Sequence, residues 1–488
     1  MTKTSQYLVA FLALSSSSAL ASTWHVSTTG SDTAAGSDTA PFKTIQRASN
    51  AAAAGDTVIV HAGTYLGFQV NKQGTAGAPI TFKADTGVMI DGAGTSDRDA
   101  IHIESASYIV VDGFTVTGAT RAGLSAITSD HITVRNSRMD QNAKWGVFAA
   151  FCDELVVENN ELSRSAAQHG VYASNSADHP VIRGNYIWGN GMCGVHMNGD
   201  ISQGGDGVIK NAVVEDNIIT GNGTLGGSGI NGDGVQNAII RNNVLDQNHA
   251  SGISLYMIDG GAPSTGNQVV NNTIRMASTA RSAVNIQDGS TSNTIRNNIL
   301  LDPAANKGAI DICSSCLAGT ISNNNAVVGR FVIDGNAITL AAWQSQTGND
   351  LQSFVATDAD LFTSTTDLTL KASSMAIDRG VVTGAPTVDI DGTMRPQGAA
   401  VDIGAYEHCN GTCAGSTGGG DTGTGDGSGS GDGSGSGDGT GDGSGSDYTG
   451  PVTDPADGTG GCSAGGGSPG LLLVVIAGLV MRRRLRDF

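Results

Sequence analysis

Between about Asp112 and Asn325 the chain keeps one apolar and polar beat: a few apolar residues, a pair that is usually Asn-Asn, then another apolar residue. Ile132-Thr-Val-Arg-Asn136, Leu155-Val-Val-Glu-Asn159, Ala238-Ile-Ile-Arg-Asn242 and Thr294-Ile-Arg-Asn297 are copies of this phrase. Aligned on the first residue of the pair, the anchors fall at 136, 159, 184, 216, 242, 271, 297 and 323, a repeat of 23 to 32 residues. Between the phrases a small residue opens a strict alternation, as in Gly146-Val-Phe-Ala, Gly170-Val-Tyr-Ala, Gly194-Val-His-Met and Gly252-Ile-Ser-Leu. Each repeat therefore predicts at least two short strands of period two, bounded by Gly, Asn and Asp, with no helical period. A coil this short cannot bury its own apolar face and must stack on its neighbours. Asn suits the repeated corner because it tolerates a left-handed backbone and can hydrogen-bond along a stack of equivalent side chains. The expected fold class is all-β, a parallel β-helix solenoid.

The alternation also sorts side chains. The residue after the small one points inward, as Leu124, Val147, Val171, Val195, Ile230 and Ile253 do, and the next points out. Up the stack that outward column reads Ser125, Phe148, Tyr172, His196, Asn231, Ser254, Asn285 and Asp311. Two residues on, it reads Ile127, Ala150, Ser174, Asn198, Asp233, Tyr256, Gln287 and Cys313. Coils lie about 4.8 Å apart, so the columns make one surface strip. The strip is apolar at its lower end and polar from Tyr172 upward, with Asn175, Asp200, Asp206, Asp259 and Asp288 in the loops that follow. The long insertions beginning at Asp200 and Asp259 predict a groove beside it.

This repeat resembles that of the right-handed parallel β-helix proteins, the superfamily of pectate, alginate and chondroitin lyases, mannuronan epimerases and polygalacturonases, over roughly residues 23–408. The resemblance implies a groove for a linear acidic polysaccharide and, foremost, β-elimination beside a uronate carboxylate. That chemistry requires charge neutralisation, a base and an acid. Calcium is the expected cofactor, with Asp200, Asp233 and Asp259 as oxygen ligands. The catalytic candidates are His196, Tyr172, Tyr256 and Arg281. Asn175, Asn198, Asn231, Asn285, Gln287 and Asp311 are candidate substrate contacts. The Asp-Pro-His-Glu phrase of the epimerases is absent, no Asp-Asp pair of the polygalacturonase kind lies on the strip, and no lysine occupies its central outward positions. A non-catalytic glycan-binding or adhesive solenoid is the rival from another class; a glycoside hydrolase or uronate epimerase on the same scaffold is a second alternative.

The rest of the chain sets the context. Lys3, the apolar run Tyr7–Leu14 and Ala19-Leu20-Ala21 read as a signal peptide over residues 1–21. Residues 22–111 are the expected N-terminal cap and first coils; Phe42, Ile45 and Ala48 share one face of a short helix that would cover the open end of the stack. The core coils span 112–325 and the closing coils 326–413, where Arg395 amid Asp378, Asp389, Asp391, Asp402 and Glu407 reads as a clamp. Cys313 with Cys316, and Cys409 with Cys413, are spaced to close small loops in an exported chain. Residues 414–461 are a Gly, Ser, Thr and Asp tether without apolar content. Residues 462–488 run from Cys462 through the apolar stretch Leu471–Met481 to five residues ending at Arg486 that include four arginines. This tail resembles the sorting tails of myxobacterial surface proteins, which implies a sorting protease, membrane contact and processing or lipid attachment at Cys462. A formal net charge of −19, part of it in the acidic tether, argues against a nucleic-acid partner, which would need a basic stripe. The expected protein is monomeric, exported and held at the cell surface.

Overall fold

A computed structural model describes residues 21–92, 98–305, 307–409, 411 and 413. Residues 1–20 of the expected signal peptide, the tether and the sorting tail with Cys462 lie outside the described residues.

Most core coils carry three short strands, one more than the minimum read from the sequence, and the strands of successive coils pair in parallel to build three sheets, the first two of which are continuous through the long strand Ala122–Arg135. Sheet 1 carries the strip, on strands such as Val171–Ser174, Val195–Asn198, Ile230–Asp233 and Ile253–Tyr256. Sheet 2 holds the apolar phrase, as in Val181–Arg183, Val213–Glu215 and Ile239–Arg241. Sheet 3 follows the Asn pair, as in Tyr186–Trp188, Ile218–Thr220 and Val244–Asp246, and contains twelve strands. Strands of three or four residues suffice because every inward Val, Ile or Leu meets its equivalents above and below, and one continuous core runs up the stack. The predicted register holds: Tyr172 pairs with His196, His196 with Asn231, and Asn231 with Ser254.

The Asn pair divides its two tasks between its members. The first residue takes the left-handed backbone, with φ of 55° at Asn159, 63° at Gly184, 56° at Asp216 and 53° at Asn242. The second builds a buried ladder between sheets 2 and 3, in which Asn160, Asn185, Asn217, Asn243, Asn272 and Asn298 each donate from Nδ2 to Oδ1 of the next at 2.9–3.2 Å. Those same Oδ1 atoms accept the backbone N–H of the Asn below, so the corner leaves no orphaned amide there. In the last copy the left-handed residue is Asn324 rather than Asn323, because the third Asn of that run, Asn325, takes the ladder position.

Before the core, the helix Ile45–Ala51 is capped by Thr44, whose hydroxyl accepts the Arg47 N–H at 3.2 Å, and it buries Ile45 and Ala48. It packs beside the first strands, Thr23–Val26 and Thr57–Val60. Past Val327 the stack continues into the antiparallel pair Arg330–Ile333 and Asn336–Thr339, then the helix Leu340–Thr347, whose Trp343 stacks on Phe331 at 4.7 Å. The closing segment runs back along the Asn corner. Asn242, Asn271 and Asn297 bond the backbone of Val388, Asp402 and Val381. Fully buried Arg395 donates to the Glu407 carboxylate at 2.8 Å and to the carbonyls of Asp402 and Gly404.

Candidate functional site on sheet 1

Alternation turns the strip side chains off the core face, and the loops 199–208 and 257–263 come together over its middle. The Ile201 N–H donates to the Asp259 carbonyl at 2.9 Å and the Gly261 N–H to the Gly207 carbonyl at 2.7 Å. Tyr172, His196, Asn198, Asn231, Asp233 and Tyr256 are all buried.

An aromatic stack climbs the lower strip. Trp145 lies 4.5 Å from Phe148, Phe148 5.6 Å from Tyr172, and Tyr172 5.0 Å from His196. Beneath it sits Asp99. It is buried, accepts Arg121 Nε at 2.8 Å and Ser125 Oγ at 2.7 Å, and Arg121 lies over the Phe148 ring. Burial alone would raise the Asp99 carboxyl; the bonds and charge of Arg121, with His102 and Ser125, hold it well below the usual range.

At the centre, the Cys193 N–H donates to His169 Nδ1 at 3.1 Å, and His169 Nε2 lies 3.2 Å from His196 Nδ1. Burial lowers both imidazoles, His196 to about 3, and the neighbouring His196 lowers His169 further, so both are neutral near pH 7. A neutral His169 that accepts at Nδ1 carries its proton on Nε2, and His196 therefore accepts at Nδ1 and carries its own on Nε2. The geometry makes His196 a hydrogen-bond donor.

Asn198 links the next groups. Its Nδ2 lies 3.4 Å from the Tyr172 hydroxyl and 3.5 Å from the Asp259 carboxylate. Burial raises the Tyr172 and Tyr256 phenols well above their usual value, so both stay protonated. Tyr256 accepts a 2.6 Å bond from Asn231 Nδ2. Burial and then the charge of Asp200 raise the Asp259 carboxyl, which makes it a stronger base than an ordinary aspartate.

The expected calcium ligands do not converge. Asp233 spends its carboxylate on three backbone N–H groups, those of Ile258, Asp259 and Gly260, at 2.9–3.0 Å, and so anchors the second loop. Asp200 Oδ1 holds its own turn through the Ser202 N–H and hydroxyl. Among the described residues, three-donor sets within 4.8 Å occur at His169, Cys193 and His196 and at His25, Asp38 and His61; Asp200, Asp233 and Asp259 form no such set. These three aspartates thus do not fit a calcium cage, and no step is derived through one.

Other candidates are placed apart from this centre. Asn175 takes the corner after its strand, with φ of 60° and its N–H on the Asn198 carbonyl. Asn285, Gln287 and Asp311 form an upper cluster, where Gln287 donates to Asn285 and Asp311 at 3.1 and 3.3 Å. Lys307, which sequence reasoning missed because it sits in the preceding loop, reaches this cluster and lies 3.2 Å from Asp311. Arg281 is exposed.

Three-strand coils stacked in parallel on a repeated Asn corner define a right-handed parallel β-solenoid. Residues 24–298, more than half of the chain, match the Pel9A-like, right handed beta helix region, and the chain belongs to that family. It is 38% identical over 107 residues to pectate lyase PEL9 of Emericella nidulans, covering 18% of this chain and 26% of that protein. It is 26% identical over 202 residues to the uncharacterized protein YwoF of Bacillus subtilis, covering 36% and 43%. The chain thus spans less than half the length of either relative. Among solved structures it resembles pectate lyase Pel9A, with a TM-score of 0.55, 20% identity, and coverage of 80% of this chain and 96% of that one, a likeness of fold.

Proposed function

We propose that the protein cleaves an acidic, uronate-containing polysaccharide by β-elimination on the sheet 1 strip. The observation that carries this reading is Asn198, which bridges a protonated phenol, Tyr172, to a carboxylate of raised basicity, Asp259. Acid and base thus stand one amide apart. Asp259 takes the proton α to the uronate carboxyl, the electrons form the new carbon–carbon double bond, and the glycosidic oxygen leaves with the proton of Tyr172. The Nε2–H of His196 is the donor assigned to the uronate carboxylate. Asn231, Asn285, Gln287 and Asp311 extend the contact along the chain of sugars.

The protein is read as exported and tethered at the surface. The disulfides Cys313–Cys316 and Cys409–Cys413 support the export half of that reading, since such bonds persist in oxidising compartments.

The test is absorbance of unsaturated products when the full chain is incubated with a panel of polyuronates, in calcium and in chelator. Products in both, lost in Asp259→Asn, support the carboxylate-base reading. Products only with calcium keep the lyase and overturn the metal-free assignment. Retention of a polymer without products from any leaves a binding solenoid.

A further inference from the structure

Far from the strip, at the start of the solenoid, two histidines and an aspartate face one another across the first coil. His25 lies on the strand Thr23–Val26, whose Val26 points into the core, and His61 directly follows the paired strand Thr57–Val60. Asp38 sits at the tip of the turn 37–40, closed by the Ala40 N–H on the Ser37 carbonyl and pinned over His25 by the His25 N–H on the Gly36 carbonyl. His25 Nδ1 is 3.1 Å from His61 Nε2, and Asp38 Oδ1 is 3.5 Å and 3.7 Å from these two nitrogens.

Those three separations are close to the edge of a metal tetrahedron. Ligands at about 2.0–2.1 Å from one ion stand roughly 3.3 Å apart. The orientation of His61 points the same way. Its Nδ1 lies 2.8 Å from Asp85 Oδ2, which holds the ring proton on Nδ1 and leaves the Nε2 lone pair aimed at the other two donors. A carboxylate behind a histidine is the arrangement that orients metal-bound imidazoles. The side chains of His25, His61 and Asp38 are 16%, 33% and 76% exposed, so an ion can enter from solvent.

We infer that His25, His61 and Asp38 bind a divalent d-block ion of the zinc type, with Asp85 as the positioning residue behind His61 and the fourth position open to water. Two imidazoles among three ligands select zinc, cobalt, nickel or copper over calcium and magnesium, which prefer oxygen. The ion cross-links the first strand, the turn that crosses it and the end of the second strand, and so fastens the first coil of the stack.

The experiment uses the full chain without a histidine tag, freed of metal by chelator and titrated with Co²⁺ by visible absorption and with Zn²⁺ by calorimetry. The expected result is one equivalent with the intense bands of a four-coordinate site, lost in His61→Gln and His25→Gln, weakened about 10–100-fold in Asp85→Asn, and unchanged in His169→Gln. Melting without metal shows whether each variant is folded, and added Zn²⁺ raises the melting temperature of the parent but not of His61→Gln. Absence of binding in the micromolar range by the parent, or binding of equal strength in folded His25→Gln and His61→Gln, overturns the site.

Discussion

Replacing Tyr172 by Phe separates chemistry from architecture at the strip. The ring stays, and with it the stacking on Phe148 at 5.6 Å and on His196 at 5.0 Å. The hydroxyl has one described hydrogen-bond partner, Asn198, at a long 3.4 Å. Loss of such a bond costs about 0.5–1.5 kcal/mol at most, and Asn198 keeps its contact with Asp259. Removal of the proton donor for the leaving oxygen is far larger, about 10²–10⁴-fold in rate. At about 1.36 kcal/mol per decade that is roughly 3–5 kcal/mol of the barrier. The expected result is a melting temperature within a few degrees of the parent and a kcat at least about 100-fold lower, with KM little changed. Steady-state kinetics on the polyuronate that gives product, paired with thermal melting, makes the measurement. A kcat loss below about tenfold, or a loss matched by a collapse in stability, would refute Tyr172 as the acid.

Three further outcomes follow from the geometry. The folded pKa of His196 is depressed to about 3, while the unfolded chain takes that proton near 6.5, so the unfolded state binds more protons between these values. Stability from this group therefore falls on acidification through that window by about 1.4 kcal/mol per pH unit; His196→Gln should show a shallower decline in denaturant midpoint below about pH 6.5, and an identical slope would contradict the buried neutral imidazole. Asn217→Ala deletes four ladder bonds and orphans two buried backbone groups, the Asn185 N–H and the Ile182 carbonyl. Its expected cost is about 2–6 kcal/mol in chemical denaturation, and a change under about 1 kcal/mol would sink the ladder argument. Arg395→Met strands the Glu407 carboxylate in a fully buried position at a cost of about 3–5 kcal/mol. Hydrogen exchange should then rise in residues 376–407 while the core coils keep their protection; uniform protection would show that the clamp is dispensable.

The stack itself was readable because its information is periodic. Alternation assigned Leu124, Val147 and Val171 to the core and Ser125, Phe148 and Tyr172 to one outward column, and parallel pairing found those same partners in register. Periodicity carries nothing about the path of the irregular loops. Asp233 was therefore read as a metal ligand, although its carboxylate is engaged by the amides of residues 258–260, whose turn back over the strip has no sequence signature. Lys307 was passed over for the same reason, since it reaches Asp311 from a loop position rather than a strand position. His196 was recognisable as a strip residue, but its role as donor depends on the chain from the Cys193 N–H through His169, which joins neighbouring coils. Asp99 and Arg121 likewise meet only because one coil lies on the next.

The two-residue corner also bears on how such a protein can be altered. The step from sheet 2 to sheet 3 keeps its length through residues 216–217, 242–243, 271–272 and 297–298, because ladder and left-handed turn together fix it. The step from sheet 1 to sheet 2 varies in length ahead of its own short ladder, Asn267 to Asn293, and it is where the loops 199–208 and 257–263 lengthen. Loop grafting on that edge, ending ahead of Asn267, would exchange the two segments that meet over the strip and leave the frame untouched, so one backbone can present a new surface by swapping two segments.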